Sequence, residues 1–188
     1  MRIIGIGGQP ATGKSTLMTA IMERLKISRT EPNRIKYVKW HENMLGTTAV
    51  LGDYGPTATT FTGTDKLGMS AQPHVVRWIS TLSNASLLRT VLFEGDRLFN
   101  LSFLQSMEAA GYHCEWYVLT AEPDSIHDRH RARGDSQTET WLKGRKTKVA
   151  NIMQASQEGT LKSTMTPLPH NTPVDTERNT RTVIATID

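Results

Sequence analysis

The chain of 188 residues (21.0 kDa) is 37% hydrophobic with a mean hydropathy of -0.40, long enough for one domain with a real core. No apolar stretch approaches the roughly 20 residues of a membrane span. One cysteine, Cys114, excludes an internal disulfide and agrees with a reducing cytoplasm. The net charge of +4 is uneven: residues 129–148 hold seven Lys or Arg against two acids, a local +5, so any polyanion argument rests on that segment.

In chain order, Ile3, Ile4 and Ile6 mark a buried strand over residues 2–7, an opening without the n- and h-regions of a signal peptide. Gly8-Gln9-Pro10-Ala11-Thr12-Gly13-Lys14-Ser15 follows and fits the pattern GxxxxGK[ST]. Leu17, Met18, Ile21, Met22 and Leu25 then recur at helical spacing, predicting a helix over about residues 13–26. A strand running through a glycine turn into a helix lets backbone N–H groups wrap a phosphate. Lys14 then reaches the β- and γ-phosphates, and the Ser15 hydroxyl binds Mg²⁺. Residues 8–15, with Thr16 after them, are therefore expected to bind a nucleoside triphosphate; the bland alternative is a glycine-rich turn without a ligand.

Residues 35–40 and 47–51 read as two strands that could form a hairpin, and residues 53–67 as a long polar loop. Helices are expected over about 69–82 and 98–110, the second ended by Gly111, and strands over 90–93 and 113–119. A helix starts near Asp124, the basic segment follows, and another helix runs over about 147–163. Pro167, Pro169 and Pro173 break the chain before a closing helix or strand over 180–187. Short apolar runs alternating with helices signal a parallel sheet flanked by helices, an α/β fold over residues 1–188.

Three further features carry chemistry. The strand over 90–93 leads into Glu94, then Asp96 and Arg97. A carboxylate there lies beside the nucleotide and holds Mg²⁺ directly or through water, with Glu94 and Asp96 both eligible; a solvated strand end is the alternative. Arg129, Arg131 and Arg133, with Lys143, Arg145 and Lys148 beyond, suit a lid over about residues 129–148 whose guanidinium forks bind a transferring phosphoryl group. Arg129 and Arg133, at i and i+4, are the preferred ligands, against a merely solvated helix pair. On the acceptor side, Asp53 and Asp65 are both candidate bases, Asp65 slightly favoured, and each could instead be a turn or cap residue. Trp40, His41, Tyr54 and Phe61 could stack on a base or simply pack in the core.

With these residues in place, the chain resembles the small P-loop kinases of nucleosides, nucleotides and polynucleotide 5′-hydroxyls. The resemblance implies a three-layer α/β sandwich: a mostly parallel five-stranded sheet, helices on both faces, an Arg-rich lid, and ATP with Mg²⁺ as cofactors. It also makes Pro173-Val174-Asp175-Thr176 the last strand and turn, with Asp175 at the nucleotide. More narrowly, Phe61-Thr62-Gly63-Thr64-Asp65-Lys66-Leu67-Gly68-Met69-Ser70-Ala71-Gln72-Pro73 and Trp141-Leu142-Lys143-Gly144-Arg145-Lys146-Thr147-Lys148 resemble segments of phage 5-hydroxymethyluracil DNA kinases. Those enzymes phosphorylate a base hydroxymethyl within DNA, which implies a DNA partner and a host-cytoplasmic location. Two other functions remain open: a kinase of a free nucleoside, nucleotide or other small hydroxyl metabolite or of 5′-hydroxyl ends, and a nucleotide-dependent switch.

Overall fold

The computed structural model describes residues 1–30, 32–55, 62–82, 86–132, 134, 137 to 187. Its sheet has seven strands: β1 (Arg2–Gly8), β2 (Asn33–Ile35), β3 (Val38–Glu42), β4 (Thr48–Leu51), β5 (Thr90–Glu94), β6 (His113–Thr120) and β7 (Met165–Pro169). They lie in the order β2-β3-β4-β5-β1-β6-β7. The five strands from β4 to β7 in that order pair in parallel, while β3 pairs antiparallel with both β2 and β4. The expected five-stranded parallel sheet is thus present and is extended at one edge by two antiparallel strands.

Alternation along β1 assigns the two faces. Ile4 and Ile6 pack against α1 (Lys14–Arg24) and α6 (Pro173–Ile184), with Leu17, Met18, Ile21, Met22 and Val183 fully buried there. Ile3, on the other face, shares a cluster with α2 (Ala71–Thr81), α3 (Leu101–Ala109) and α5 (Glu139–Gln157). Gly5 and Gly7 of β1 face this second layer because it is filled by aromatic rings. A methyl on Gly5 would meet Phe93 at 2.7 Å and Trp116 at 3.0 Å, and one on Gly7 would collide with Phe99. The result is three layers, helix–sheet–helix, with the C-terminal ends of β1 and β5 side by side. No described helix is long and apolar enough to cross a membrane.

Several expected boundaries move. The strand expected over 35–40 is two strands, broken by a turn in which Lys36 takes φ 47°. The helix expected from 147 already begins at Glu139, where the Thr138 side chain accepts from the Trp141 N–H, and it ends at Gln157. Pro167 and Pro169 do not break the chain but lie in β7, which among the described residues is an edge strand paired with β6, where a missing N–H is tolerated. Pro173–Thr176 is no strand and turn but the first turn of α6, closed by a capping box between Thr172 and Asp175. The expected lid loop is mostly helical: α4 (Pro123–Ala132) leads through described residues 134, 137 and 138 into α5.

Candidate active site

Between β1 and α1 the backbone turns through left-handed conformations at Ala11 (φ 61°) and Gly13 (φ 93°). Gly13 is required twice over: a methyl there would lie 2.6 Å from Cδ2 of the buried His170, and the conformation itself disfavours a side chain. Thr12 Oγ1 donates to Gln9 O (2.8 Å), while Lys14 Nζ donates to Gly8 O (3.0 Å) and Gln9 O (2.9 Å). The ammonium therefore arches over the loop crest at the N-terminus of α1, where unpaired N–H groups and the helix dipole favour an anion.

Beside this loop, β5 ends on Glu94, whose side chain is buried at 1% exposure. Its Oε1 accepts from Ser15 Oγ (3.3 Å) and Tyr54 OH (3.4 Å), both long for O–H···O bonds. Burial raises its pKa to about 7; the Lys14 charge opposes that, Asp65 adds to it, and the Ser15 and Tyr54 hydrogen bonds offset part. A buried, weakly satisfied carboxylate next to a hydroxyl is a hard-oxygen donor set that fits Mg²⁺, which keeps waters and takes its remaining oxygens from phosphate. Among the described residues no three His, Cys, Asp or Glu side chains cluster as a metal cage.

The polar segment before α2 reaches the same place. A 3-10 turn over Thr64–Lys66 follows Gly63, and Thr64 Oγ1 donates to Glu94 O. Asp65 Oδ1 accepts from the Arg97 N–H (3.3 Å). Burial raises the pKa of Asp65; Lys14 opposes and Asp96 reinforces the shift. Lys14, Ser15, Asp65, Glu94, Asp96 and Arg97 all line one cavity of about 580 Å³. Pro10, Ala11 and Gly13 form its loop side, with Thr62, Met69, Gln72, Gln137, Trp141 and Arg145 on other walls.

The remaining candidates separate sharply. Asp53 is outside the cavity wall, bonded to Lys39 Nζ (3.0 Å) and the Gly55 N–H (3.1 Å). Burial would raise its pKa, but the Lys39 and Gly55 hydrogen bonds and the Lys39 and Lys66 charges outweigh it and hold the pKa low. Asp96, eligible beside Glu94 on sequence, is instead paired with Arg145 (3.2 Å) and Lys148 (3.8 Å), while Glu94 faces Ser15. Asp175 accepts from the Asn171 and Thr172 N–H groups (2.9 Å each), which pull its pKa down to about 2. Its carboxylate thus serves the α6 cap.

Arg129 does not extend into the cavity. Its guanidinium donates to Ala11 O (3.1 Å), His170 O (3.0 Å) and Asn171 O (2.9 Å), clamping the loop crest to the β7–α6 junction. Arg133 lies outside the described residues. Among the described residues, the arginines that line the cavity are Arg145, which belongs to the expected lid, and Arg97, which lies outside it. The signal for Arg97 was its position, three residues beyond the strand-end carboxylate, while Arg145 of the expected lid lies one turn after Trp141 because α5 starts at Glu139. Trp40 stacks with Trp78 (4.8 Å), and the His41 ring contacts Ser28 O (3.0 Å) and accepts from the Tyr54 N–H (3.2 Å), so these rings are packing elements. Phe61 lies outside the described residues.

Glu94 carries a stability cost with a defined sign. Its folded-state pKa is above the unfolded value, so it favours folding below about pH 4.5 and loses that contribution as pH rises through about 7. Without nucleotide, Glu94→Gln is expected to unfold at higher denaturant than the parent at pH 8, the gap closing toward pH 5. An equal or lower midpoint at pH 8 would contradict the buried-carboxylate account.

The family model described as P-loop Nucleotide Kinase3 matches residues 1–173. Among solved structures, a gluconokinase from Sinorhizobium meliloti 1021 is similar over 98% of this chain and 96% of its own, at 13% identity and a TM-score of 0.47. The structure of APE1195 is similar over 99% and 96%, at 14% identity and a TM-score of 0.47. No curated protein matches the chain.

Proposed function

We propose, from the premise that the chain belongs to the P-loop nucleotide kinase 3 family, that it transfers the γ-phosphoryl group of ATP to a hydroxyl of a small nucleoside- or nucleotide-class acceptor. The observation that carries the reading is the convergence of Lys14, Ser15, Asp65, Glu94 and Arg97 on one cavity. The loop amides and Lys14 hold the triphosphate. Ser15 and Glu94 would hold Mg²⁺, which supplies charge neutralisation on the phosphate oxygens. The acceptor oxygen attacks the γ-phosphorus in line, its proton passes to Asp65, and the bond to the β–γ bridging oxygen breaks to release ADP. Arg97 and Arg145 neutralise charge on the transferring group.

The basic segment supports a small acceptor over a long polyanion. Arg129 is held by three carbonyls and Lys148 by the Asp96 carboxylate and carbonyl, so part of the segment's cationic surface is engaged within the chain. Cations and a base candidate within one chain also weigh against a switch that waits for a partner's arginine. A second reading, phosphorylation of 5-hydroxymethyluracil within DNA, has one observation in its favour. The two segments that resemble those kinases contribute Thr62, Asp65, Met69, Gln72, Trp141 and Arg145 to the cavity.

Transfer of labelled γ-phosphate from ATP into a panel of acceptors tests these readings. Label in free nucleosides or nucleotides is the expected result. Label only in hydroxymethyluracil DNA would establish the second reading. ATP hydrolysis without a labelled acceptor would overturn both in favour of the switch.

A further inference from the structure

Two large side chains on the cavity wall do nothing for the core. Trp141 is half-buried, yet it belongs to neither of the apolar clusters that hold the sheet and helices together. Met69 is 85% exposed and also belongs to neither. Both line the cavity that contains Asp65, from different elements: Met69 just before α2, Trp141 in the first turn of α5. The indole is held in place without being packed away, with its backbone N–H on Thr138 Oγ1 and the Arg145 guanidinium 4.9 Å from its ring centroid. Met69 is anchored through its sulfur to Arg97 Nη1.

Gln72 adds a directional group. Its Oε1 accepts from Asn100 Nδ2 (3.0 Å), and Asn100 itself caps α3, so the amide orientation follows from the network. Its Nε2 has only a 3.5 Å contact with Ser102 Oγ, which leaves donor capacity on this cavity-lining residue. A flat aromatic face, a polarisable thioether and an amide donor together recognise a planar heteroaromatic ring that carries a carbonyl.

The geometry points to Trp141, Met69 and Gln72 as a subsite for the acceptor's nucleobase, with Trp141 as its specificity-determining residue. The inference rests on the proposed kinase reading and deepens it: the acceptor carries a carbonyl-bearing base, stacked on the indole, and presents its hydroxyl toward Asp65. Free nucleosides and bases exposed in a polynucleotide share this chemistry.

Calorimetric titration tests the subsite independently of turnover. Thymidine, 5-hydroxymethyl-2′-deoxyuridine and a short single-stranded oligonucleotide of the latter would be titrated in the presence of Mg²⁺ and a non-hydrolysable ATP analogue. Trp141→Leu, which keeps apolar bulk, is expected to weaken the base-bearing ligand by ~10- to ~100-fold, the loss typical of a deleted stacking platform. Trp141→Phe, which keeps a ring, is expected to recover most of that loss, and affinity for the ATP analogue is expected to be unchanged in both. Preference for the nucleosides or for the oligonucleotide identifies the source of the base. No binding of any of the three, equal weakening by Leu and Phe, or a loss confined to the ATP analogue would overturn the subsite. Base binding with no phosphate transfer would instead reject the kinase reading and leave the subsite standing.

Discussion

Lys14→Ala is expected to lower kcat/KM by on the order of 10³-fold while leaving a folded protein, measured as phosphate transfer beside a denaturant titration. The ammonium is bonded to Gly8 O and Gln9 O of the loop and lines the cavity, and one of its three N–H donors remains for phosphate. Its deletion removes a charge that the loop amides and helix dipole cannot replace, since those supply only partial charges. A second consequence distinguishes this account from a simple binding defect. Lys14 is a pKa-lowering influence on both Glu94 and Asp65, opposing their burial. Its loss lets both rise further, so the acidic limb of the remaining activity is expected to move to higher pH. Near-normal turnover in Lys14→Ala, or a limb that moves to lower pH, would sink the phosphate-site assignment.

The phosphate loop was legible in sequence because its chemistry is local: eight consecutive residues, a preceding strand and a following helix specify it without distant partners. The parallel sheet was legible for a similar reason, since each buried strand is a short apolar run between helical patterns. What could not be read is where an unpatterned side chain goes. The first buried residue of α5 is Val149, ten positions after its start, so Gly144 and the charged turns hid the helix that carries Trp141 and Arg145. The break between β2 and β3 uses Lys36 and Tyr37, with none of the Gly, Asn or Pro that usually mark a turn. Arg129 and Arg145 look alike in composition, but one meets three carbonyls from distant segments and the other meets Asp96.

Asp53 and Asp65 illustrate the same limit at the level of mechanism. Both follow or lie in polar loop sequence, and local pattern cannot rank them. Gly63 makes the difference, at φ 68° and close against Glu94 and Tyr54, where it admits no side chain. The segment therefore passes tightly by the end of β5 and delivers Asp65 to the cavity. Asp53, two-way paired with Gly63 through backbone hydrogen bonds (3.1 and 2.9 Å), is left behind the turn holding Lys39.

Asp65→Asn is accordingly expected to reduce kcat by ~10²- to ~10⁴-fold, the usual contribution of a positioned base, with little change in KM for ATP. The amide retains an oxygen for the Arg97 N–H but cannot take the acceptor proton, so geometry persists while basicity is lost. The pH dependence carries an opposite sign to that of the Lys14 variant. In the parent protein, kcat/KM is expected to rise with pH as the raised carboxylates Asp65 and Glu94 ionise, through a limb that belongs to the pair. Removing the Asp65 charge relieves its repulsion on Glu94, whose pKa falls from about 7, and the limb of the residual activity shifts to lower pH. The same substitution deletes a carboxylate whose ionisation opposes folding, so stability at pH 8 is expected to hold or increase. Initial rates from pH 5 to 9 on both variants decide the point. An Asp65→Asn enzyme that keeps a tenth or more of parental kcat would remove Asp65 from the base role and return the search to other acceptor-side groups. A limb that stays where it is in the parent would show instead that Asp65 and Glu94 do not sense one another across the cavity.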